Sequence, residues 1–293
     1  MVILGAQMKN TNKNQFTHLK IHTQYSICEG AIKIIDLKDF CKKNKIHAIG
    51  LSDTKNLCGA LEFAENISKV GTQPIIGTQI NFKFKDQIGI LPIIANNFEG
   101  YKSIIGLSSK SYLENKTTDE PHCSFQELLN IKSGVTILSG SFRGLIGNLF
   151  EKNLLTEIDE VLKLIKDAFK DKFYLEIQRH NDVGEKLFEE FLLNKSNDLA
   201  IPLIATHEVF YLDKDMHEAH DALICIGEKT YVNEKKRRKY SDQHYLKSSE
   251  QMTEIFSDLP EALENNFNFP YKCSYKPKPS LPILPNIRTS KDI

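Results

Sequence analysis

Segments typical of β-strands alternate with segments typical of α-helices along most of this chain, and this alternation restricts the folds open to it. Short apolar runs at residues 47–52 (HAIGLS) and 135–139 (VTILS) are typical of buried strands. Residues 155–169 carry apolar side chains at helical spacing. Repeated strand–helix units predict a parallel sheet covered by helices. About seven such units are enough to close a barrel, and an open doubly wound sheet is the alternative that the pattern leaves.

The same reading gives bounds for each element. Strands are predicted at residues 16–22, 47–52, 74–82, 88–95, 135–139, 173–177 and 201–212. Helices are predicted at residues 32–43, 57–70, 98–112, 155–169, 185–197, 216–226, 248–256 and 259–265. We expect residues 1–15 to be a polar leader, residues 16–275 to form the main domain and residues 276–293 to be a proline-rich connector.

Composition and charge exclude some classes of protein. Hydrophobic residues make up 41% and charged residues 26%, as in ordinary soluble globular proteins. Lys+Arg and Asp+Glu both number 38, so the chain lacks the basic surplus of a free-standing nucleic-acid binder. Any contact with DNA is therefore expected to be local, or to depend on a neighbouring domain.

The cysteines and the apolar runs indicate a cytoplasmic location. The six cysteines contain no CxxC pair, which favours reduced thiols over a disulfide framework or a zinc ribbon. No apolar run approaches the roughly 20 residues of a membrane helix. We therefore expect no contact with a membrane.

A first candidate site lies at the end of the first predicted strand. His18, Lys20 and His22 alternate, so their side chains share one face of that strand. Two histidines on such a face can bind Zn²⁺, Mn²⁺ or Fe²⁺. The middle residue is a lysine, however, and its ammonium group repels a metal. A strand histidine by itself is more often packed or hydrogen-bonded than a ligand.

Two further candidates follow other predicted strands. Asp53 ends the second strand and fits either a metal ligand or, preferably, a cap of the next helix. Glu208 lies in the late strand, and Asp213, Asp215, His217 and His220 follow it. The two histidines are three residues apart rather than four, so they do not form an HExxH motif. The Asp-x-Asp pair is a weak signal for a two-metal site and is more often solvated.

One dense basic run spans residues 235–239. A solvated surface loop is the favoured interpretation, and a patch touching nucleic acid or an acidic partner is the alternative. The members of this run are Lys235, Lys236, Arg237, Arg238 and Lys239.

Several segments resemble, in their linear order, the PHP (polymerase and histidinol phosphatase) domain of bacterial DNA polymerase III alpha subunits. They include HLKIHTQYS (18–26), GLSDTKNLCGALEF (50–63), IATHEVFYL (204–212) and AHDALICIG (219–227). The resemblance covers residues 15 to 285. It implies an α/β fold, a distorted (β/α)7 barrel followed by short helices and the connector. In metal-bearing relatives, up to three ions lie at the carboxyl ends of the strands and hydrolyse phosphoesters, in some polymerases as part of 3′–5′ proofreading.

This sequence departs from the family's ligand pattern at most positions. The positions at which a ligand is replaced are Lys20, Thr54, Gln79, Ile90 and Phe210. The residues that survive in ligand positions are His22, Glu29, Asp53, His180 and Glu208. Such a set cannot hold three ions, each of which needs about four to six ligands. The resemblance therefore implies a vestigial site that holds no metal, or one weak ion on His22, Asp53 and Glu208, and that has no catalytic residue.

We accordingly expect a structural and docking module with no tightly bound cofactor. The resemblance implies as partners the polymerase domains of the same chain, the proofreading exonuclease (epsilon) subunit and, in the parent holoenzyme, DNA. The parent protein would perform DNA-directed DNA synthesis with Mg²⁺. The alternatives are an active metal-dependent phosphoesterase or 3′–5′ exonuclease of the PHP superfamily, and an unrelated (β/α) barrel enzyme.

Overall fold

A computed structural model describes residues 15–116, 118–131 and 133–282. The strands are β1 (Lys20–Ile21), β2 (Ala48–Thr54), β3 (Gln73–Phe84), β4 (Gln87–Ala95), β5 (Cys123–Ser124), β6 (Val135–Leu138), β7 (Phe173–Ile177), β8 (Leu203–Ala205) and β9 (Glu208–Val209). The helices are α1 (Ile34–Asn44), α2 (Ala60–Ser68), α3 (Phe98–Leu113), α4 (Phe125–Leu129), α5 (Leu145–Glu151), α6 (Leu155–Phe169), α7 (Glu185–Leu199), α8 (His217–Glu228), α9 (Ser249–Ile255) and α10 (Pro260–Asn268). Within these ranges, no helix is long and apolar enough to cross a membrane.

The strands form one sheet that returns on itself. Their order is β8-β7-β6-β4-β3-β2-β1-β9, with β5 added beside β3. The two ends of this path, β8 and β9, are separated along the chain only by Thr206 and His207. Together they act as one broken strand that pairs with β7 on one side and with β1 on the other. The expected distorted seven-stranded α/β barrel is therefore confirmed, and the open doubly wound sheet is not observed.

The break in the last strand was not predicted, since residues 201–212 were expected to be continuous. The amide of Thr206 still donates to Ile177 O of β7, at 3.0 Å. The next available amide, that of Glu208, donates instead to the imidazole Nε2 of His180, at 3.1 Å. A side chain thus takes the hydrogen bond that would have continued the β7–β8 ladder, and the chain turns toward β1.

The prediction of a parallel sheet is wrong at β4, which runs antiparallel to both β3 and β6. Only Lys85 and Asp86 separate β3 from β4. A crossover between parallel strands needs a dozen or more residues, whereas two residues suffice for a hairpin. Lys85 has φ 51°, the left-handed conformation that tight hairpin turns use. The other strand pairs along the path are parallel.

Helices cover the outside of the sheet through apolar stripes. On α6, Ile158, Val161, Leu162 and Ile165 lie at the i, i+3, i+4, i+7 spacing and are fully buried. They belong to the same cluster as Leu175 of β7. Burial of each such side chain contributes roughly 1.5–3 kcal/mol.

Side chains that face the inside of the barrel change character along the strands. Tyr174 of β7 is buried in an apolar cluster with Ile204 and Phe269. Glu176 is two residues further along β7 and so lies on the same face, but there it contacts charged side chains. The interior is therefore apolar toward the amino ends of the strands and polar toward their carboxyl ends.

Some predicted bounds differ from those observed. The helix at 155–169 and the strand at 173–177 have the expected ends, whereas the first strand shrinks from 16–22 to two residues. The short helices α4 and α5 were not predicted. Residues 276–282 contain neither helix nor strand. Most of the predicted leader and the last part of the connector, residues 1–14 and 283–293, lie outside the described residues.

Candidate functional site

A lysine lies between two carboxylates inside the barrel, at the carboxyl ends of the strands. Lys20 Nζ is 3.1 Å from Glu176 Oε1 and 3.3 Å from Glu208 Oε1. Lys20 of β1 is paired in register with Glu208 of β9, which explains why their side chains meet. All three residues are buried. Burial by itself would lower the pKa of Lys20, but the two carboxylates raise it above its ordinary value.

Two more side chains converge on the same oxygen of Glu208. The amide Nε2 of Gln79 donates to Glu208 Oε1 at 2.6 Å, and His22 Nε2 lies 3.0 Å from it. Burial opposes ionisation of Glu208, but the charge of Lys20 and the contacts with His22 and Gln79 hold its pKa well below the ordinary value. Three side chains therefore contact this one oxygen, those of Lys20, His22 and Gln79.

Glu176 is the main member of this group that was not predicted from the sequence. Its Oε1 also accepts hydrogen bonds from Gln178 Nε2, at 2.6 Å, and from Thr206 Oγ1. A signal was present, because Glu176 is a lone carboxylate within the apolar strand FYLEI. A charged residue at an interior strand position is seldom buried without a partner.

Asp53 holds a turn of the chain in place of the helix cap that we preferred. Its carboxylate accepts from Thr23 N at 2.7 Å, from Thr23 Oγ1 at 2.8 Å and from Ser26 Oγ at 2.8 Å. Helix α2 begins only at Ala60, with Gly59 at its N-cap, too far along the chain for Asp53 to cap it. The pKa of Asp53 is raised overall, because the effect of burial is larger than the opposite effects of these three donors and of the nearby His22.

Glu29 links the site to the segment that follows α8. Thr54 Oγ1 donates to Glu29 Oε2 at 2.6 Å and lies 3.3 Å from His22 Nδ1. Arg238 donates to Glu29 Oε1 at 2.5 Å and pairs with Glu228 at 2.9 Å. Burial works against ionisation of Glu29, but His22, Thr54 and Arg238 together lower its pKa. Thr54, at a position where the resemblance implies a histidine, thus contacts the same carboxylate as Arg238 does.

His180 and Phe210 frame the site without offering a free ligand. His180 Nε2 accepts the amide of Glu208, and its Nδ1 lies 2.9 Å from Glu185. Its ring stacks on that of His244 with centroids 3.9 Å apart. Burial lowers the pKa of His180 well below its ordinary value. Phe210 places its ring 4.5 Å from that of His22 and supplies no donor atom.

A cavity of about 450 Å³ opens above these residues. Its floor includes His22, Gln79 and Glu208, and Ile90 contributes to the wall. On one side the guanidinium of Arg143 lies 4.7 Å from the centroid of the Tyr240 ring, a cation–π contact. Neither Arg143 nor Tyr240 stood out in the sequence.

The basic run divides into inward and outward residues. Arg237 forms two 2.6 Å hydrogen bonds to Asp221, and Arg238 turns inward to Glu29. Lys235, Lys236 and Lys239 are exposed.

The acidic and histidine residues after β9 do not gather into a metal site. His217 Nε2 lies 3.1 Å from Tyr240 O, and His220 Nε2 lies 2.9 Å from Glu29 O. Across the described ranges, no group of three or more His, Cys, Asp and Glu side chains is arranged to hold a metal. The six cysteines are free thiols.

The donor set does not fit the metal cluster that the family resemblance implies. Both oxygens of Asp53 and both oxygens of Glu29 have donors from the chain itself. The remaining acid, Glu208, contacts an ammonium group at 3.3 Å. His22 is the one surviving histidine whose ring faces this cavity, since His180 is used to hold the β8–β9 break.

Known proteins are similar to this chain over nearly all of its length. The family model of the PHP domain matches residues 18–180. The chain is 36% identical over 284 residues to the DNA polymerase III subunit alpha of Rickettsia felis, covering 95% of this chain and 23% of the relative. It is 32% identical over 295 residues to that of Caulobacter vibrioides, covering 96% of this chain and 25% of the relative. Both matches span about a quarter of the relative's length.

Among solved structures, an amidohydrolase from Chromobacterium violaceum overlaps with 66% of this chain and 87% of its own. The TM-score of 0.44 and the 7% identity are too low to support a statement about function. The match over residues 18–180 covers more than half of the sequence, and the polymerase relatives extend the similarity over nearly all of it. The chain therefore belongs to the PHP domain family, in the form that occurs in DNA polymerase III alpha subunits.

Proposed function

We propose that this chain is the PHP part of a replicative polymerase and works as a structural and docking module rather than as a phosphoesterase. The parent protein would carry out DNA-directed DNA synthesis in the cytoplasm, with its Mg²⁺ bound elsewhere in the polymerase. The observation that carries the proposal is the position of Lys20 between Glu176 and Glu208.

The positive charge of Lys20 supports the proposal, because it opposes the binding of metal ions at this position. Hydrolysis of a phosphoester by metal-bound hydroxide requires ions beside the carboxylates. A divalent ion 4 Å from an ammonium group is repelled by about 8 kcal/mol at an effective dielectric constant of 20. Glu176 and Glu208 already share the positive charge of Lys20, so their attraction for an added ion is reduced by this amount.

One observation favours the alternative, a metal-dependent phosphoesterase or 3′–5′ exonuclease. The cavity of about 450 Å³ lies over His22 and Glu208, where a substrate would have to enter. The two readings are separated by metal analysis of protein prepared without chelator, together with hydrolysis of a phosphodiester in Mn²⁺ or Zn²⁺. We expect neither stoichiometric metal nor hydrolysis. Hydrolysis that is abolished by His22→Ala would establish the alternative.

Exposed apolar side chains support a docking role. Ile27 is 81% exposed and Ile226 is 71% exposed. Their neighbours in sequence are in contact, since a Cβ added to Gly227 would meet Cys28 Cβ at 2.6 Å. We infer that such a surface is buried against the polymerase domains of the same chain or against the exonuclease (epsilon) subunit.

A pull-down with the exonuclease subunit tests the docking role. We expect retention by the wild-type chain and weaker retention by Ile27→Asp/Ile226→Asp if this surface is used. If retention is unchanged in the double variant, the exonuclease subunit docks on another surface. If the wild-type chain is not retained either, only a structural role within the polymerase chain remains. Leu61→Asp is a suitable control, because Leu61 is also partly exposed but lies on α2.

Lys235, Lys236 and Lys239 are the part of the basic run that can reach DNA in the parent holoenzyme. Replacing all three with Gln should reduce the salt dependence of DNA binding by the holoenzyme, since each phosphate contact adds to that slope. A slope that does not change would assign these lysines to a solvated loop.

A further inference from the structure

The chain beyond α8 forms one wall of the cavity above the site, and Arg238 and Tyr240 are part of that wall. We propose that residues 238–242 are a lid that opens and closes the cavity, and that Asp182 is the latch that holds the lid closed. This inference goes beyond the docking role, because it concerns access to the cavity.

The lid is anchored on both sides, and the part between the anchors contains neither helix nor strand. Before the lid, Arg237 forms two 2.6 Å hydrogen bonds to Asp221 of α8. After the lid, Leu246 N donates to Tyr211 O at 3.0 Å, so the chain rejoins the segment that follows β9. The lid can therefore move between two fixed points without disturbing the rest of the fold.

The backbone of the lid is held by side chains rather than by other backbone groups. Ser241 N donates to Asp182 Oδ1 at 2.8 Å, and Lys239 O accepts from Arg143 at 2.6 Å. In the part of the chain that the structure describes, no amide of the lid donates to a backbone carbonyl. Segments with so little backbone pairing open locally at a lower free energy than the strands around them.

Asp182 is the point at which the lid meets two other parts of the cavity rim. One oxygen accepts the amide of Ser241, and the other lies 3.2 Å from His244 Nε2. The same oxygen lies 3.6 Å from Arg143, in the loop before α5. Arg143 also packs on the ring of Tyr240 in the lid, 4.7 Å from its centroid. Loss of this one carboxylate would therefore free the lid from the loop after β7 and weaken its contact with Arg143.

The closed lid covers the floor of the cavity through stacked rings. The ring of Tyr240 packs on that of Phe210 with centroids 4.8 Å apart, and Phe210 packs on His22 at 4.5 Å. Arg238, also in the lid, pairs with Glu29. His22 is only 1% exposed beneath these contacts. An open lid would expose its imidazole, which gives the motion a chemical readout.

The test measures how fast diethyl pyrocarbonate modifies His22 in the full chain, by mass spectrometry of the tryptic peptide 21–33, whose one histidine is His22. We expect Asp182→Ala to raise this rate at least about tenfold, since hydrogen bonds to a charged group hold the lid closed. Asp182→Asn keeps an acceptor for the Ser241 amide but loses the charge, so its rate should lie between those of the wild type and Asp182→Ala. Asp182→Asn also carries the test if Asp182→Ala does not fold.

Two controls make the outcome specific to the latch. Asp242→Ala removes a carboxylate of the lid itself, one that pairs with Lys214 at 2.9 Å, and should leave the rate at the wild-type value. Hydrogen exchange in α6, far along the chain from the lid, should be the same in all variants. The inference is overturned if neither variant of Asp182 increases the modification of His22. It is also overturned if exchange in α6 rises together with that modification, because Asp182 would then stabilise the whole fold rather than a lid.

Discussion

Two groups in this molecule have the same components, one cation between two carboxylates, but lie in opposite surroundings. Inside the barrel, Lys20 lies between Glu176 and Glu208 with almost no exposure. Outside it, Arg179 lies between Glu189 and Asp258, and the Asp258 side chain is 61% exposed. Ion pairs at a surface contribute little because water competes with them, whereas a buried pair leaves a bare charge when it is broken.

The outer group also has a second anchor that the inner one lacks. The guanidinium of Arg179 lies 5.1 Å from the centroid of the Phe256 ring, so its stem and plane pack against an aromatic side chain. Its partners raise the pKa of Arg179 further above an already high value, which has no effect on its charge near neutral pH. From this difference in burial we expect the inner group to matter more to the stability of the fold than the outer one.

The largest effect is expected for Glu208→Ala. This change removes a carboxylate that Lys20, His22 and Gln79 all contact and leaves those polar groups buried. We expect a loss of about 3–5 kcal/mol in the free energy of unfolding, measured by urea denaturation. Glu160→Ala, in an exposed pair, is the control. A loss as small as that of the control would show that the buried group contributes no more to stability than an exposed ion pair.

A smaller effect is expected from acid, through His18. This buried histidine contacts Lys247 O at 2.9 Å, and burial lowers its pKa from 6.5 to about 4. Between pH 6.5 and about pH 4, His18 binds a proton more tightly in the unfolded chain than in the folded one. The stability that this difference provides is fully present above pH 6.5 and is lost as the pH falls through about 4. The whole loss is about 3 kcal/mol by linkage. In the His18→Gln variant, the free energy of unfolding should fall less steeply between pH 6.5 and 4. An unchanged curve would mean that a group other than His18 takes up the proton.

A still smaller effect is expected for Arg179→Met. The methionine stem keeps apolar contact with Phe256 while both ion pairs are lost. We expect a loss of about 1 kcal/mol that shrinks further in high salt. Urea denaturation at two salt concentrations measures it. A loss equal to that of Glu208→Ala would show that burial is not what separates the two groups.

The smallest effect is expected for Lys214→Met, at an exposed pair with Asp242 on the outer surface. Its side chain is 53% exposed, so water replaces the lost partner. We expect no measurable change in melting temperature. A clear decrease would mean that exposed pairs also hold the segment 229–247 in place.

Much of the fold could be predicted because it depends on local pattern. The helix at 155–169 and the strand at 173–177 have the expected bounds, since spacing of apolar residues sets them. The hairpin turn at Lys85 lacks the usual Asn-Gly signal, so β4 was expected to run the wrong way. The broken last strand depends on His180, some 28 residues away, which no local pattern reveals.

The candidate site, like the fold, could be predicted only in part. His22, Gln79 and Glu208 were found from motif positions, and the structure brings them together. Lys20 was expected to repel a metal, but its pairing with Glu176 was not expected. Arg238 was assigned to a basic surface run, but its side chain turns inward to bind Glu29. This partner is 209 residues away in sequence. Contacts at such separations require the folded chain.

The seam between β1 and β9 has a consequence for synthesis of the protein on the ribosome. Lys20 emerges early, yet its strand partner Glu208 is made about 190 residues later. The β3–β4 hairpin can pair as soon as it appears, whereas one edge of β1 must wait with its backbone groups unpaired. An open strand edge invites pairing with other chains. A buried lysine at that edge, rather than an apolar residue, keeps the waiting strand charged and therefore less prone to aggregate.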